Sequence, residues 1–142
     1  MKKTLLAIIT TTILGLNQAQ ALESVEYTMG KIDAILCPNS DAPGLCGAAV
    51  MSVTSGPALL ISIAVGGLSE TTAYYFKVND SHKELLMAAN DSASLFILND
   101  GQANAEGELA GAFDVISEIS ETGKEYSDLQ KAALILLINQ NF

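Results

Sequence analysis

The apolar residues of this chain recur mostly at steps of three and four, which is the spacing of one face of an α-helix. Four segments show this spacing, at 23–36, 81–98, 105–120 and 127–139. Ser81 with Glu84, and Ser127 with Gln130, match the capping box that opens a helix. The last segment contains "AALILLI" and is apolar almost all round, so we expect its helix to be central. The pattern predicts short helices joined by polar turns.

A different pattern occupies the middle of the chain, where no charged residue lies between Asp41 and Glu70. A breaker cluster at 54–57 divides this region into pieces that are too short to span a bilayer. We interpret Pro57 to Leu68 as a buried helix. A pair of buried strands is one alternative, because Ile61, Ile63 and Val65 alternate, and insertion of residues 48–68 into a membrane is another.

Together these segments predict an all-α fold, a small bundle of four to five short helices with one disulfide-closed loop. The stretch "SETTAYYFKVND" bridges the apolar region and the second helix, and its local structure is left open. With 142 residues the chain is long enough for one domain. We assign that helical domain to residues 22–142.

Residues 1–21 have the layout of a secretory signal peptide. Lys2 and Lys3 precede an apolar stretch from Leu5 to Leu16, and a small-x-small triplet ends at Ala21. Cleavage after Ala21 leaves 121 residues and changes the formal charge from −9 to −11. We expect a periplasmic or secreted protein.

Two cysteines remain in the exported chain, Cys37 and Cys46, on either side of "PNSDAPGL". Two cysteines at short spacing in an oxidising compartment indicate a disulfide. The proline, asparagine and glycine between them favour a chain reversal that brings the sulfurs together. We therefore predict a Cys37–Cys46 disulfide.

The charge balance restricts the partners of this protein. The formal net charge is −9, and all seven basic residues are lysines. Such a surface has little to offer a phosphate backbone, so we expect no nucleic-acid binding. It also disfavours docking on anionic lipid, which recruits basic clusters. A partner with a basic surface, such as another envelope or secreted protein, suits it better.

The usual catalytic sets are incomplete in this sequence. The single histidine, His82, follows the predicted cap at Ser81, where we expect it to be solvated, and no serine lies in a G-x-S-x-G elbow. A carboxylate-dependent hydrolase is the alternative, with Glu106 and Glu108 as the nearest acidic pair. We expect a protein that is not an enzyme and binds no cofactor.

A few residues are candidates for binding. Asp100, Glu106 and Glu108 lie in "NDGQANAEGE", which has oxygen ligands but departs from the calcium-loop template, so we predict no metal site there. Tyr74 and Tyr75 carry the kind of aromatic side chain that is enriched at interfaces, and burial against the core is the alternative for both. These five residues form our speculative binding set.

The second half of the chain, from about 73 to 140, resembles a family of small secreted proteins of unknown function from Gram-negative bacteria. The resemblance rests on "KELLMAANDSASLFILNDG", on Leu109 and Ala112, and on the closing "LQKAALILLI". Within the first of these stretches the matching residues are Ala88, Ala89, Asp91, Ala93, Phe96 and Gly101. The resemblance implies an exported helical domain and names no activity.

The function that we predict from the sequence is that of a small, exported, acidic binding protein. An inhibitor or immunity-type protein that occupies the active site of a toxin is a concrete form of this hypothesis. An envelope protein inserted through residues 48–68 is the alternative from a different class.

Overall fold

The structure, a computed structural model, describes residues 29–38, 48–66, 71–121 and 125–142. The described part contains helix α1 (residues 29–36), strands β1 (Ala48–Ser55), β2 (Ala58–Gly66) and β3 (Thr71–Val78), and four more helices. Those helices are α2 (Asp80–Ala88), α3 (Asn90–Leu98), α4 (Glu108–Ile119) and α5 (Asp128–Asn139). The fold is therefore mixed α and β.

The three strands form one antiparallel sheet in the order β1-β2-β3, so the predicted all-α fold is wrong. The charge-free run forms β1 and β2, and the interpretation of Pro57 to Leu68 as a helix is wrong with it. The alternative of two buried strands is confirmed for residues 48–66 as to the strands, but β1 is not buried, since Met51 and Val53 are exposed. Ile61, Ile63 and Val65 are all buried, as alternation on one face of a strand requires.

Gly56 and Pro57 make the turn that joins β1 to β2, since Ser55 pairs directly with Ala58. Gly56 has a φ of +63°, which glycine adopts without a steric penalty. Pro57 then supplies the negative φ that the second central residue of a type II′ hairpin turn needs. The breaker cluster that was expected to open a helix instead closes a hairpin.

The helices follow the sequence pattern more closely, with two corrections. The cap of α2 is Asn79, whose Oδ1 accepts a hydrogen bond from the His82 backbone N–H at 2.9 Å, so the predicted Ser81 and Glu84 box is wrong. The single stripe from 81 to 98 is divided at Ala89 into α2 and α3. The Ser127 and Gln130 capping box of α5 is confirmed.

One hydrophobic core lies between the sheet and the helices. From the sheet it takes the side chains that alternate onto one face, including Phe76 and Val78. From the helices it takes α5 above all, where Ala132, Ala133, Leu134, Ile135, Leu137 and Ile138 are buried. The prediction of a central last helix is confirmed.

Asn139, the last residue of α5, fastens this helix to the division between α2 and α3. Its Nδ2 donates hydrogen bonds to the Leu86 carbonyl oxygen at 2.8 Å and to the Asn90 Oδ1 at 3.1 Å. Leu86 is fully buried and Asn90 is half-buried, so water competes weakly for these bonds. Asn139 therefore sets the position of α5 relative to two other helices.

Replacing Asn139 with alanine should lower the free energy of unfolding by about 1–3 kcal/mol, because a buried carbonyl loses its donor. Chemical denaturation followed by circular dichroism measures this change. Gln140→Ala is the control, since Gln140 is exposed at the same helix end, and it should change stability by less than about 0.5 kcal/mol. Equal losses in the two variants would contradict the role given to Asn139.

Some predictions lie outside the described residues. The signal peptide at 1–21 does, and so does Cys46. Cys37 is half-buried just after α1, and its disulfide with Cys46 stays a prediction. None of the helices in the described part of the chain is long and apolar enough to cross a membrane.

Candidate functional site

The side of the sheet that faces away from the core carries two rows of mostly apolar side chains. Residues that pair directly across an antiparallel sheet point to the same side. Met51 pairs with Ser62, and Ser62 pairs with Tyr75. Val53 pairs with Leu60, and Leu60 pairs with Lys77. We call these two rows, comprising Met51, Ser62, Tyr75, Val53, Leu60 and Lys77, the outer face.

The outer face leaves large apolar side chains in water. Met51 is 70% exposed, Val53 is 63% exposed and Tyr75 is 48% exposed. Two strand spacings, roughly 10 Å, separate Met51 from Tyr75, and the half-buried Leu60 and Ser62 of β2 lie between the two edges of this patch. Contiguous exposed apolar groups of this kind mark interaction surfaces more often than single exposed residues do.

Lys77 is the one charged residue in the three strands. The acidic residues of the described chain lie in the helices and their connections. The outer face is therefore nearly neutral although the protein as a whole has a formal charge of −9. An apolar partner surface could therefore be buried against the outer face with little cost from desolvating charged groups.

Of the two candidate tyrosines, only Tyr75 lies on the outer face. Tyr74 is half-buried on the opposite side of β3, where its ring meets Tyr126 edge-on with 5.7 Å between the ring centroids. Burial, and to a smaller extent the neighbouring Tyr126, raise the pKa of the Tyr74 phenol. Tyr74 therefore packs in the structure, and its prediction as a binding residue is not favoured by this position.

The three candidate carboxylates are not brought to the tyrosines. Asp100 accepts a hydrogen bond from the Lys31 Nζ at 2.7 Å, and the same Nζ donates to the Leu98 carbonyl oxygen at 3.2 Å. Asp100 thereby ties α1 to the end of α3. Glu106 and Glu108 are exposed around the start of α4. In the described part of the chain no group of three histidine, cysteine or acidic side chains is placed to hold a metal ion.

A second feature is a cleft of about 270 Å³ between the edge of β3 and the end of α4, lined by Lys77, Asn79, His82, Glu118 and Ser120 among others. His82 is not the solvated residue that the sequence predicts, because only 19% of its side chain is exposed. Its Nδ1 is buried and has no hydrogen-bond partner among the described residues. Its Nε2 lies 3.9 Å from the Glu118 Oε1, and the Ser120 hydroxyl is bonded to the Tyr126 hydroxyl at 2.9 Å.

The cleft gathers polar groups of several kinds. The Ser120 hydroxyl is bonded to the Tyr126 hydroxyl at 2.9 Å, whereas a nucleophile is activated by a hydrogen bond of about 3 Å to a base. The 3.9 Å separation between His82 and Glu118 is also too long for a hydrogen bond. We therefore take the outer face as the candidate site.

Comparison of the chain with models of protein families, with curated proteins and with solved structures found no match. The resemblance to a family of small secreted proteins thus stays a prediction.

Tyr75 is the one residue of the outer face that the sequence analysis named as a candidate, and the exposed Met51 and Val53 are the largest omissions. Their signal was present as an uncharged stretch in which apolar and polar residues alternate from Met51 to Thr54. This signal was overlooked because Pro57 to Leu68 was interpreted as a helix. In the structure most of that stretch forms β2, and its pairing with β1 decides which side chains of β1 are exposed.

Proposed function

We propose that this protein is an exported binding protein that docks a partner protein on the outer face of its sheet. The observation that carries the proposal is the exposure of Met51, Val53 and Tyr75 on one face of the sheet, with Leu60 and Ser62 of β2 between them. Burial of such side chains contributes roughly 25 cal/mol per Å² of apolar surface removed from water. Aromatic and methionine side chains are also enriched at the centres of protein interfaces.

The chemistry of the partner follows from the distribution of charge. Its contact patch is apolar and uncharged, because the outer face offers only Lys77 as a charged group. The surroundings of that patch are basic, because the rest of this protein is strongly acidic. Long-range attraction then speeds the encounter, and the apolar contact holds the complex. A toxin enzyme as the partner remains the concrete form of this hypothesis.

Site-specific photo-crosslinking tests this proposal in the cells that export the protein. Benzoylphenylalanine in place of Tyr75 keeps an aromatic group on the outer face and should yield one discrete adduct with a partner chain. The same group in place of Leu95, which is 60% exposed on α3, is the control and should yield none. Met51→Lys should reduce the Tyr75 adduct, because a charge at the patch must be desolvated on docking.

Two outcomes would count against the proposal. One is an equal set of adducts from the Tyr75 and Leu95 positions, which would mean nonspecific contact. The other is an adduct composed of two copies of this chain alone, which would make the outer face a self-association surface. Raised salt should slow the capture of a basic partner, since screening weakens attraction between opposite charges.

A further inference from the structure

The two edges of the sheet differ in how they are covered. Along β3, Phe76 forms a bridge with Ser120, and the Glu121 backbone N–H donates to the Tyr75 carbonyl oxygen at 2.9 Å. The chain that follows α4 therefore occupies part of that edge. Strand β1 pairs only with β2, and none of the described residues pairs with its other side. Within the described structure, β1 is the edge at which the sheet can grow.

Strand β1 lacks the features that keep an edge strand from pairing. Its eight residues, "AAVMSVTS", contain no charge and no proline. Its register with β2 runs from Ala48 to Ser55 without an extra residue, so no bulge twists the edge away. Met51, Ser52, Val53 and Thr54 are all exposed. A long, uncharged edge strand without a bulge is a template for another strand.

The chemistry of β1 also indicates which strand it accepts. A row of free backbone N–H and C=O groups is satisfied by the backbone of an extended chain. A basic strand finds no carboxylate in β1, in the turn at Gly56 and Pro57 or in β2. An acidic strand finds no lysine in the same places. An uncharged strand fits, and β1 of a second copy is one.

We propose that β1 pairs antiparallel with β1 of a second copy about a two-fold axis, joining two three-stranded sheets into one of six strands. A two-fold pairing of β1 uses the β1 edge of both copies, so it closes at a dimer. We place the axis at Ser52, one of the two central residues of the eight-residue strand, so that Ser52 of each copy lies opposite its equivalent. The pairing leaves the outer faces free and places them side by side. It does not depend on the proposed docking of a partner there.

The dimer has a distinctive dependence on salt. Two exported copies with a formal charge of −11 each repel one another, while the contact itself is uncharged. Raised salt screens the repulsion and should tighten the dimer. Raised salt should instead weaken the binding of a basic partner, because it screens attraction between opposite charges. Sedimentation of the exported protein alone, over a range of concentrations and at two salt concentrations, should show a monomer–dimer equilibrium that shifts toward dimer with salt.

A charge-swap experiment identifies the surface that pairs. Ser52→Lys and Ser52→Glu should each weaken the dimer by about fivefold, because like charges opposite each other across a strand pair destabilise it. An equimolar mixture of the two variants should restore association, because opposite charges then face each other. Ser92→Lys is the matched control. It makes the same change on an exposed position of α3 and the same change in net charge, and it should leave the dissociation constant close to that of the unchanged protein.

Circular dichroism shows whether each variant is folded, and Thr54→Lys with Thr54→Glu replaces the Ser52 pair if that pair is not. A protein that stays monomeric at every concentration and salt would overturn the proposal. So would a dimer that Ser52 charges leave intact, or one that Tyr75→Asp dissolves while the Ser52 variants do not. A monomer whose Tyr75 position still crosslinks a partner would leave the proposed function standing without this inference.

Discussion

Replacing Phe76 with alanine should lower the free energy of unfolding by about 3–5 kcal/mol, the range for a large buried aromatic side chain. Phe76 is 0% exposed in the core. Its ring packs against Tyr126, with 6.3 Å between the ring centroids, and its backbone bridges to Ser120. Truncation therefore leaves a cavity where the sheet meets the helical layer. Chemical denaturation followed by circular dichroism measures the loss.

Tyr75→Ala is the matched control for Phe76→Ala, because the two residues are neighbours in β3 and differ in the face that they occupy. Tyr75 is 48% exposed on the outer face, so its truncation should cost less than about 1 kcal/mol. A large difference between neighbours is the signature of a strand with one buried face. Similar losses at both positions would contradict the sheet and the proposals that depend on it.

Replacing Gly101 with alanine should destabilise the protein by about 2–3 kcal/mol. Gly101 has a φ of +72°, and an L-residue with a Cβ pays about 1–2 kcal/mol for the left-handed region. The added Cβ would also lie 3.2 Å from the Leu129 Cγ, so that the side chain at the start of α5 must move. Crowding in a packed site adds to the cost of the backbone strain. Thermal and chemical unfolding both report this change.

Gly30→Ala is the control for Gly101→Ala and should have the opposite sign. Gly30 lies in α1, has no atom within 4 Å of the position that a Cβ would take, and is exposed. Alanine stabilises a helix by roughly 0.5–1 kcal/mol relative to glycine. A loss of stability in Gly30→Ala, or none in Gly101→Ala, would show that the two backbone positions differ from those described.

Partner docking and dimer formation use different surfaces, so the same variants should affect them differently. Tyr75 is two strands away from the open edge, so changes there address docking on the outer face and not edge pairing. Ser52 points to the other side of β1 from Met51, so charges there address edge pairing. The two associations also respond to salt in opposite directions. Raised salt weakens binding of a basic partner, because it screens attraction, and it tightens the dimer, because it screens repulsion between acidic copies.

The sequence by itself determined the local features whose causes are local. The capping box of Ser127 and Gln130 predicted the start of α5, because a helix N-terminus is completed by side chains three residues apart. Asn99, Asp100 and Gly101 predicted the end of α3, where Asp100 and Gly101 both have a positive φ. The all-round apolar "AALILLI" predicted a central helix because hydrophobic side chains on every face must be covered on every face.

Only the tertiary structure decided the rest. The run from Ala58 to Gly66 is apolar on both faces, since Leu60 and Ala64 lie opposite Ile61 and Ile63, and this blurs the alternation that distinguishes a strand from a buried helix. Its hydrogen-bond partners in β1 and β3 made it the central strand, and no local pattern specifies such pairing. The exposure of Met51 and Val53 is a consequence of this pairing, because a side chain on an edge strand is buried or exposed according to what packs on its face of the sheet. The central helix of the core was therefore predictable from the sequence, whereas the surface available for binding depends on how the strands and helices pack together.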